Sequence, residues 1–356
     1  MNHSSPNTLW GSLLTLGLLW GSTIALPTSS ALMAQQSSPE ASQATLSVDS
    51  LLAPFSHNPI VPGLFADPEV LYSQNTHKFY IYPTSDGYDG WRGDTFRCFS
   101  SEDLVSWHDE GVILDLKRDV SWANERAWAP CIEERRLPNG QFRYYFYFTA
   151  ETKIGVAVAD SPTGPFTDLG HPLIAERPAS ADGGQCIDPD VFTDPASGKT
   201  YLYWGNHFMA ISELDTSLTA IVPNTTRELI HSSKLYKEGT YVFQRKGRYY
   251  FMWSQGDTRS PDYCVRYAVT SSPTETPDVE HSRVVLTKNP DLDIYAAGHN
   301  SVVNVPGTDI WYIVYHRFRR PNGVKMGRQA GYNRELCVDR LLFDDEGNIL
   351  PVVVTP

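Results

Sequence analysis

One short pattern of apolar and polar positions recurs five times along the chain. Its clearest part is an aromatic-rich run: Phe79-Tyr80-Ile81-Tyr82, Tyr144-Tyr145-Phe146-Tyr147, Tyr201-Leu202-Tyr203-Trp204, Tyr249-Tyr250-Phe251-Met252-Trp253 and Trp311-Tyr312-Ile313-Val314-Tyr315. Each run is preceded by a second apolar segment: ADPEVLY (66–72), APCIEE (129–134), DPDVFTD (188–194), EGTYVFQ (238–244) and HNSVVNV (299–305). Polar turn residues such as Pro138-Asn139-Gly140 and Lys246-Gly247-Arg248 separate the two, which predicts a β-hairpin. A third segment follows most copies, at 95–100, 154–158, 208–212 and 264–268. A turn and a short outer segment come next, as in SEDLVSWHDEG and SPTGPFTDLG. Four strands per unit, repeated about every 60 residues, predict an all-β fold: a five-bladed β-propeller with four-stranded antiparallel blades.

The one long apolar stretch, Leu9 to Leu26, carries no charge and is followed by the small residues TSSALMA. It reads as a signal peptide over residues 1–34, cleaved near Ala31 or Ala34. The region before it lacks Lys and Arg, so an uncleaved membrane anchor is the alternative. Residues 35–56, rich in Ser, Gln and Ala, read as a flexible linker, and 57–356 as the propeller. The expected location is therefore periplasmic or extracellular, with no membrane association after cleavage. Five scattered cysteines without a CxxC pair signal neither a zinc site nor a dense disulfide framework.

Charge narrows the function. Lys and Arg total 29 against 41 Asp and Glu, a net charge of −12, and no basic block occurs. Phosphate contacts need clustered cations, so a nucleic-acid partner is excluded. In a propeller the first strand of each blade lines the axis. Its starting residues, Asp67, Ala129-Pro130, Asp188, Glu238 and His299, should therefore converge on one pocket. Three carboxylates at a buried axis are costly unless they are bonded or functional. Paired carboxyls suit glycoside hydrolysis, where one must protonate the leaving oxygen while another stays ionised. A third nearby carboxylate raises the acid's pKa by like-charge repulsion.

The strings ADP (66–68), WAP (128–130), IDPDVF (187–192), KEGTYVF (237–243) and GHNSVV (298–303) resemble glycoside hydrolase family 43 over about residues 57 to 356. That resemblance implies a five-bladed, inverting enzyme acting mainly on arabinose- and xylose-containing polysaccharides. It implies Asp67 as general base, Glu238 as general acid, and Asp188 as the residue that tunes and orients Glu238. Asp190 is the alternative third carboxylate, since strand alternation keeps it on the face of Asp188. His299 matches the family histidine near the axis. A structural calcium beside it is one expectation, a hydrogen-bonded core histidine the other. No cofactor is required. Arg334, in NRELCVDR, resembles an arginine of a Gly-Arg-Glu-Thr string that reaches the sugar, although Asn333 and Leu336 depart from that string. His316 and Trp128 are further substrate-binding candidates, and Phe65 shares the ambiguity of Trp128 between sugar stacking and blade packing. The NDPNG and Glu-Cys strings of related retaining propellers are absent.

Pro356 directly follows the last predicted strand, so the pocket should be shaped by the propeller's own loops, 84–94, 115–126 and 256–262. These features predict an exported, inverting glycosidase that releases α-L-arabinofuranosyl or β-D-xylosyl residues from plant-type polysaccharides or oligosaccharides, with arabinofuranosidase ahead. An endo-acting arabinanase or a galactose-releasing relative is the alternative. A carbohydrate-binding propeller without catalysis should lack one of the three acids, and all three are present. The sequence sets no oligomeric state.

Overall fold

The computed structural model describes residues 57–356; the predicted signal peptide and linker lie outside the described residues. The chain forms five antiparallel sheets in succession. Blade I holds β1 (Phe65–Tyr72), β2 (Phe79–Ser85), β3 (Thr95–Ser101) and β4 (His108–Asp115). Blade II holds β5 (Trp128–Arg136), β6 (Phe142–Ala150), β7 (Lys153–Ala159) and β8 (Thr167–Asp168). Blade III holds β9 (Asp190–Thr193), β10 (Thr200–Trp204), β11 (Met209–Leu214) and β12 (Arg227–Ile230). Blade IV holds β13 (Glu238–Arg245), β14 (Arg248–Gln255), β15 (Cys264–Thr270) and β16 (Arg283–Leu286), and blade V holds β17 (Gly298–Asn304), β18 (Trp311–Phe318) and β19 (Arg334–Leu341). This is the predicted five-bladed β-propeller.

The aromatic runs are the second strands, and their composition follows from their position. Each sheet is covered on both faces, so successive side chains enter two different cores. Tyr144, Phe146 and Phe148 of β6 pack with Tyr82 and Phe96 of blade I. Tyr145 and Tyr147, between them in sequence, pack with Leu202 and Trp204 of blade III. The same division recurs at Tyr250 and Met252 against Tyr249, Phe251 and Trp253 in β14. Five inter-blade cores thus take the place of one central core. Burial of each such ring contributes about 1.5–3 kcal/mol, and all five cysteines are buried and unpaired.

At the head of each inner strand the backbone turns left-handed. The residues are Asp67 (φ 47°), Ala129 (φ 38°), Asp188 (φ 59°), Gly239 (φ 63°) and His299 (φ 46°). Strand register shifts at this point, between Ala66 and Glu69, Trp128 and Cys131, Glu238 and Tyr241, and Gly298 and Ser301. These are β-bulges, which re-aim side chains at sheet ends. A polar group of the preceding blade accepts the bulge N–H in each case. The acceptors are Thr84 Oγ1 for Ala129 (2.7 Å), Thr149 Oγ1 for Asp188 (3.0 Å), Ser254 Oγ for His299 (2.9 Å) and His316 Nδ1 for Asp67 (3.2 Å). In blade III the corresponding residue is Gly205, which has no side chain, and Asp188 Oδ2 accepts the Gly239 N–H instead (3.1 Å).

Blade V departs from the four-strand expectation, because its own sheet has three strands. The first described residues occupy its outer edge. Ile60 N–H donates to Leu336 O (3.0 Å), and the Asn58 carboxamide bonds both Val338 N–H (2.9 Å) and Val338 O (3.2 Å). The two ends of the propeller are thereby joined. Asn58→Ala leaves that edge unsatisfied and should cost about 1–3 kcal/mol, read as a lower urea midpoint with an unchanged slope. An unchanged midpoint would show that other contacts close the ring.

Candidate active site

The bulged strand ends open into a cavity of about 380 Å³. Asp67, Asp188, Glu238, His299 and Arg334 all line it, so the three predicted acids and two of their predicted neighbours are brought together. One detail of the prediction is corrected. Glu238 is not in register with Asp67 and Asp188. Gly239 takes the left-handed position in blade IV, and Glu238 stands one residue earlier, opposite Ser254 on β14.

Asp67 sits in a cage of cations and imidazoles. Arg334 Nη1 donates to Asp67 Oδ1 at 2.8 Å, and Nη2 lies 3.4 Å from Oδ2. On its other side the same guanidinium bonds Asp86 through Nε (2.9 Å) and Nη2 (3.2 Å), while the Arg334 backbone N–H also donates to Asp86 (3.0 Å). His299 Nδ1 and His316 Nδ1 stand 3.2 and 3.1 Å from Asp67 Oδ1. Burial alone would raise the Asp67 pKa, but its neighbours, Arg334 foremost, outweigh it and hold the carboxyl well below its ordinary value. Burial, then Arg334, lowers His316 to about 4, so that ring is neutral near pH 7.

Glu238 has the opposite surroundings. Asn206 Nδ2 donates to its Oε2 at 2.5 Å and Tyr263 O–H to its Oε1 at 3.0 Å. Burial raises its pKa, opposed by Lys237, Tyr263 and Asn206. Burial also raises Asp188 well above the usual carboxylate range, reinforced by the charges of Glu238 and Asp67. Asp188, buried, and Glu238, half-buried, thus both have raised proton affinity, the opposite of Asp67. The cavity therefore combines one carboxylate pushed towards its ionised form with two acids pushed towards their protonated form.

The other predicted site residues divide. Trp128 lines the cavity, its indole N–H donating to Trp91 O at 2.7 Å. Arg334 lines it too, yet its donors are committed to Asp67 and Asp86, so it positions the carboxylate. His316 is wholly buried beneath Asp67 and does not line the cavity. Phe65 is turned away, its ring edge-on to Phe99 at 5.1 Å. Asp190 is not the third carboxylate. The left-handed Asp188 breaks strand alternation, and Asp190 Oδ2 accepts the Val242 N–H (2.9 Å) in a buried group with Glu69 and Cys131. A calcium beside His299 would meet imidazole nitrogen, and Asp67, the carboxylate paired with that ring, is already held by Arg334. The side chains present do not by themselves form an oxygen-rich calcium site.

Loops 84–94 and 256–262 do shape the cavity, through Trp91 and through Asp257, Thr258 and Arg259, whereas 115–126 contributes no lining residue. Sequence reading missed Asp86, Asn206, Tyr263 and Trp91 as individuals. Asp86 and Trp91 lie in a loop singled out for pocket shaping, and Tyr263 directly follows another. Asn206 carries no signal at all.

The chain is similar to known proteins. The model for glycosyl hydrolases family 43 matches residues 56–349. A β-D-galactofuranosidase of Aspergillus niger is 34% identical over 310 residues, covering 84% of this chain and 85% of that enzyme. An arabinoxylan arabinofuranohydrolase of Paenibacillus polymyxa is 26% identical, covering 84% of this chain and 52% of the relative. A solved α-L-arabinofuranosidase from Clostridium thermocellum superposes with a TM-score of 0.64 at 28% identity, over 82% of this chain and 94% of that one.

Arg334 is the strongest influence lowering the Asp67 pKa. Arg334→Met should therefore raise that pKa and move the acid limb of any activity needing ionised Asp67 to higher pH. Arg334→Lys keeps a charge and should move it less. Identical acid limbs in all three proteins would refute this account of Asp67.

Proposed function

This chain belongs to glycosyl hydrolases family 43, and on that premise we propose that it releases α-L-arabinofuranosyl or β-D-xylosyl residues from plant-type polysaccharides or oligosaccharides with inversion. The carrying observation is the one cavity that brings Asp67, bonded by Arg334, together with Asp188 and Glu238, whose surroundings push their proton affinities the other way.

In this reading Asp67 takes a proton from a water molecule as its oxygen attacks the anomeric carbon. Glu238 gives its proton to the glycosidic oxygen on the opposite face, and the bond to the leaving sugar breaks. Asp67 ends protonated and Glu238 ionised, and the two reset through solvent. Asp188 fixes the Gly239 N–H beside Glu238 and so positions the acid. Trp91 and Trp128 offer apolar ring faces to the sugar. The similarity to the Clostridium arabinofuranosidase favours an arabinofuranosyl group. The similarity to the Aspergillus galactofuranosidase favours a second reading, β-D-galactofuranosyl release, since that ring has the stereochemistry of α-L-arabinofuranose with one added carbon. We also read the protein as exported, from the apolar residues 9–26.

Asp67→Asn should abolish hydrolysis of every substrate; retention of more than a few per cent of the rate would sink its role as base. Glu238→Gln should slow natural glycosides by about 10²–10⁴-fold and aryl glycosides with good leaving groups far less. Equal losses on both would count against Glu238 as the acid.

A panel of aryl arabinofuranoside, xyloside and galactofuranoside substrates separates the two sugar readings, with the arabinofuranoside expected fastest. NMR of the first-formed anomer should show inversion; retention would overturn the mechanism.

A further inference from the structure

We propose that the leaving-group side of this cavity is a subsite for a uronic-acid carboxylate, held by Lys237 and Arg177. The inference rests on Glu238 acting as the proton donor, because the leaving sugar must then lie on the open side of that carboxyl. Tyr263, wholly buried, closes one side of Glu238. The other side carries Asn206, His207 and Lys237, all of which line the cavity.

Lys237 is fixed in place. Its N–H donates to Ser254 O (2.8 Å), its carbonyl accepts the His207 N–H (2.8 Å), and its Nζ donates to His207 Nε2 (2.6 Å). Burial and the neighbouring lysine keep the His207 pKa below its ordinary value, so the ring serves as a neutral acceptor and leaves the ammonium charge uncompensated.

The wall beyond is equally rigid. Gln185 and Asn206 exchange backbone hydrogen bonds (3.3 and 3.1 Å). Gly184, at φ 91°, packs so closely that a Cβ there would lie 1.9 Å from Asn206 O. Gly184 and Gln185 also line a second cavity of about 500 Å³ that carries Arg177, with Glu176 its only lining carboxylate.

Among the cations lining the catalytic cavity, Lys237 stands apart. The net charge is −12. The other cations at the catalytic cavity are neutralised: Arg334 by Asp67 and Asp86, Arg259 by Asp257. Among the described residues, neither Lys237 nor Arg177 forms an ion pair with a carboxylate. A neutral aglycone would gain little from two such charges in adjoining cavities. A carboxylate on the leaving sugar, or on the next one, supplies the missing partner through charge-assisted hydrogen bonds.

The test compares a uronate-bearing arabinoxylan oligosaccharide with its carboxyl-reduced counterpart, which differs only in CH2OH for the carboxylate. Binding is read by calorimetry on the full-length Asp67→Asn protein, so the result does not depend on turnover. The uronate form should bind roughly tenfold tighter, with the preference eroded by salt. Lys237→Gln and Arg177→Gln should each reduce that ratio several-fold, and together abolish it. Equal binding of the two oligosaccharides, or a preference that survives the double variant, overturns the inference. Hydrolysis of a neutral aryl arabinofuranoside by the unsubstituted protein reads the proposed function separately.

Discussion

At the head of each inner strand this chain places one residue in the left-handed region, and the propeller is organised around that choice. Outside glycine the conformation costs about 1–2 kcal/mol per residue, and four of the five positions are not glycine. The cost is offset because each turned N–H finds an acceptor, four times on the preceding blade's second strand. The bulge therefore does two jobs at once. It ties neighbouring blades at the mouth of the ring, and it swings the Asp67 carboxylate out of the strand's alternation into the cavity.

The exception links scaffold to chemistry. Gly205 supplies no hydroxyl to the Gly239 N–H, and Asp188 Oδ2 takes that role. The buried acid whose own proton affinity Glu238 raises is thus also a structural tie between blades III and IV. Its position is set by the same hydrogen bond that holds the sheet edge. A similar economy governs Asp67, Arg334 and Asp86. Buried ion pairs are seldom net stabilisers, because desolvation cancels most of the attraction. This triad fixes an ionised carboxylate in a buried site, which is a condition for chemistry more than for folding.

The blade count was legible because both faces of each second strand are buried. That requirement writes contiguous aromatic runs into the sequence, and Tyr144–Phe148 divides its rings between two cores in the way such a run demands. Asp67, Asp188 and Glu238 were legible as a set because they head inner strands. Their exact register was not, because a bulge shifts position without changing composition; Gly239 displaced Glu238 by one residue, and the turn at Asp188 sent Asp190 elsewhere. The missing fourth strand of blade V was hidden for a different reason. Its place is taken by Asn58 and Ile60, far away in sequence, and no local periodicity announces such a pairing. Asp86 and Asn206 were hidden likewise, since each acts through a partner on another strand or blade.

Specificity and catalysis draw on different parts of this architecture. The acid–base pair needs an environment that separates two proton affinities, and the packed strand ends provide it with groups that are nearly all buried. The rest of the cavity wall comes from segments that lie between strands: Trp91 after β2, Asp257 to Arg259 after β14, and Gly184 to Gln185 before β9. Of these only the last is held to the neighbouring 205–207 segment by reciprocal backbone bonds. That segment directly flanks Lys237 and leads into the second cavity. A wall held in this way between two cavities fixes the spacing between the charges on either side of it, Lys237 in one and Arg177 in the other.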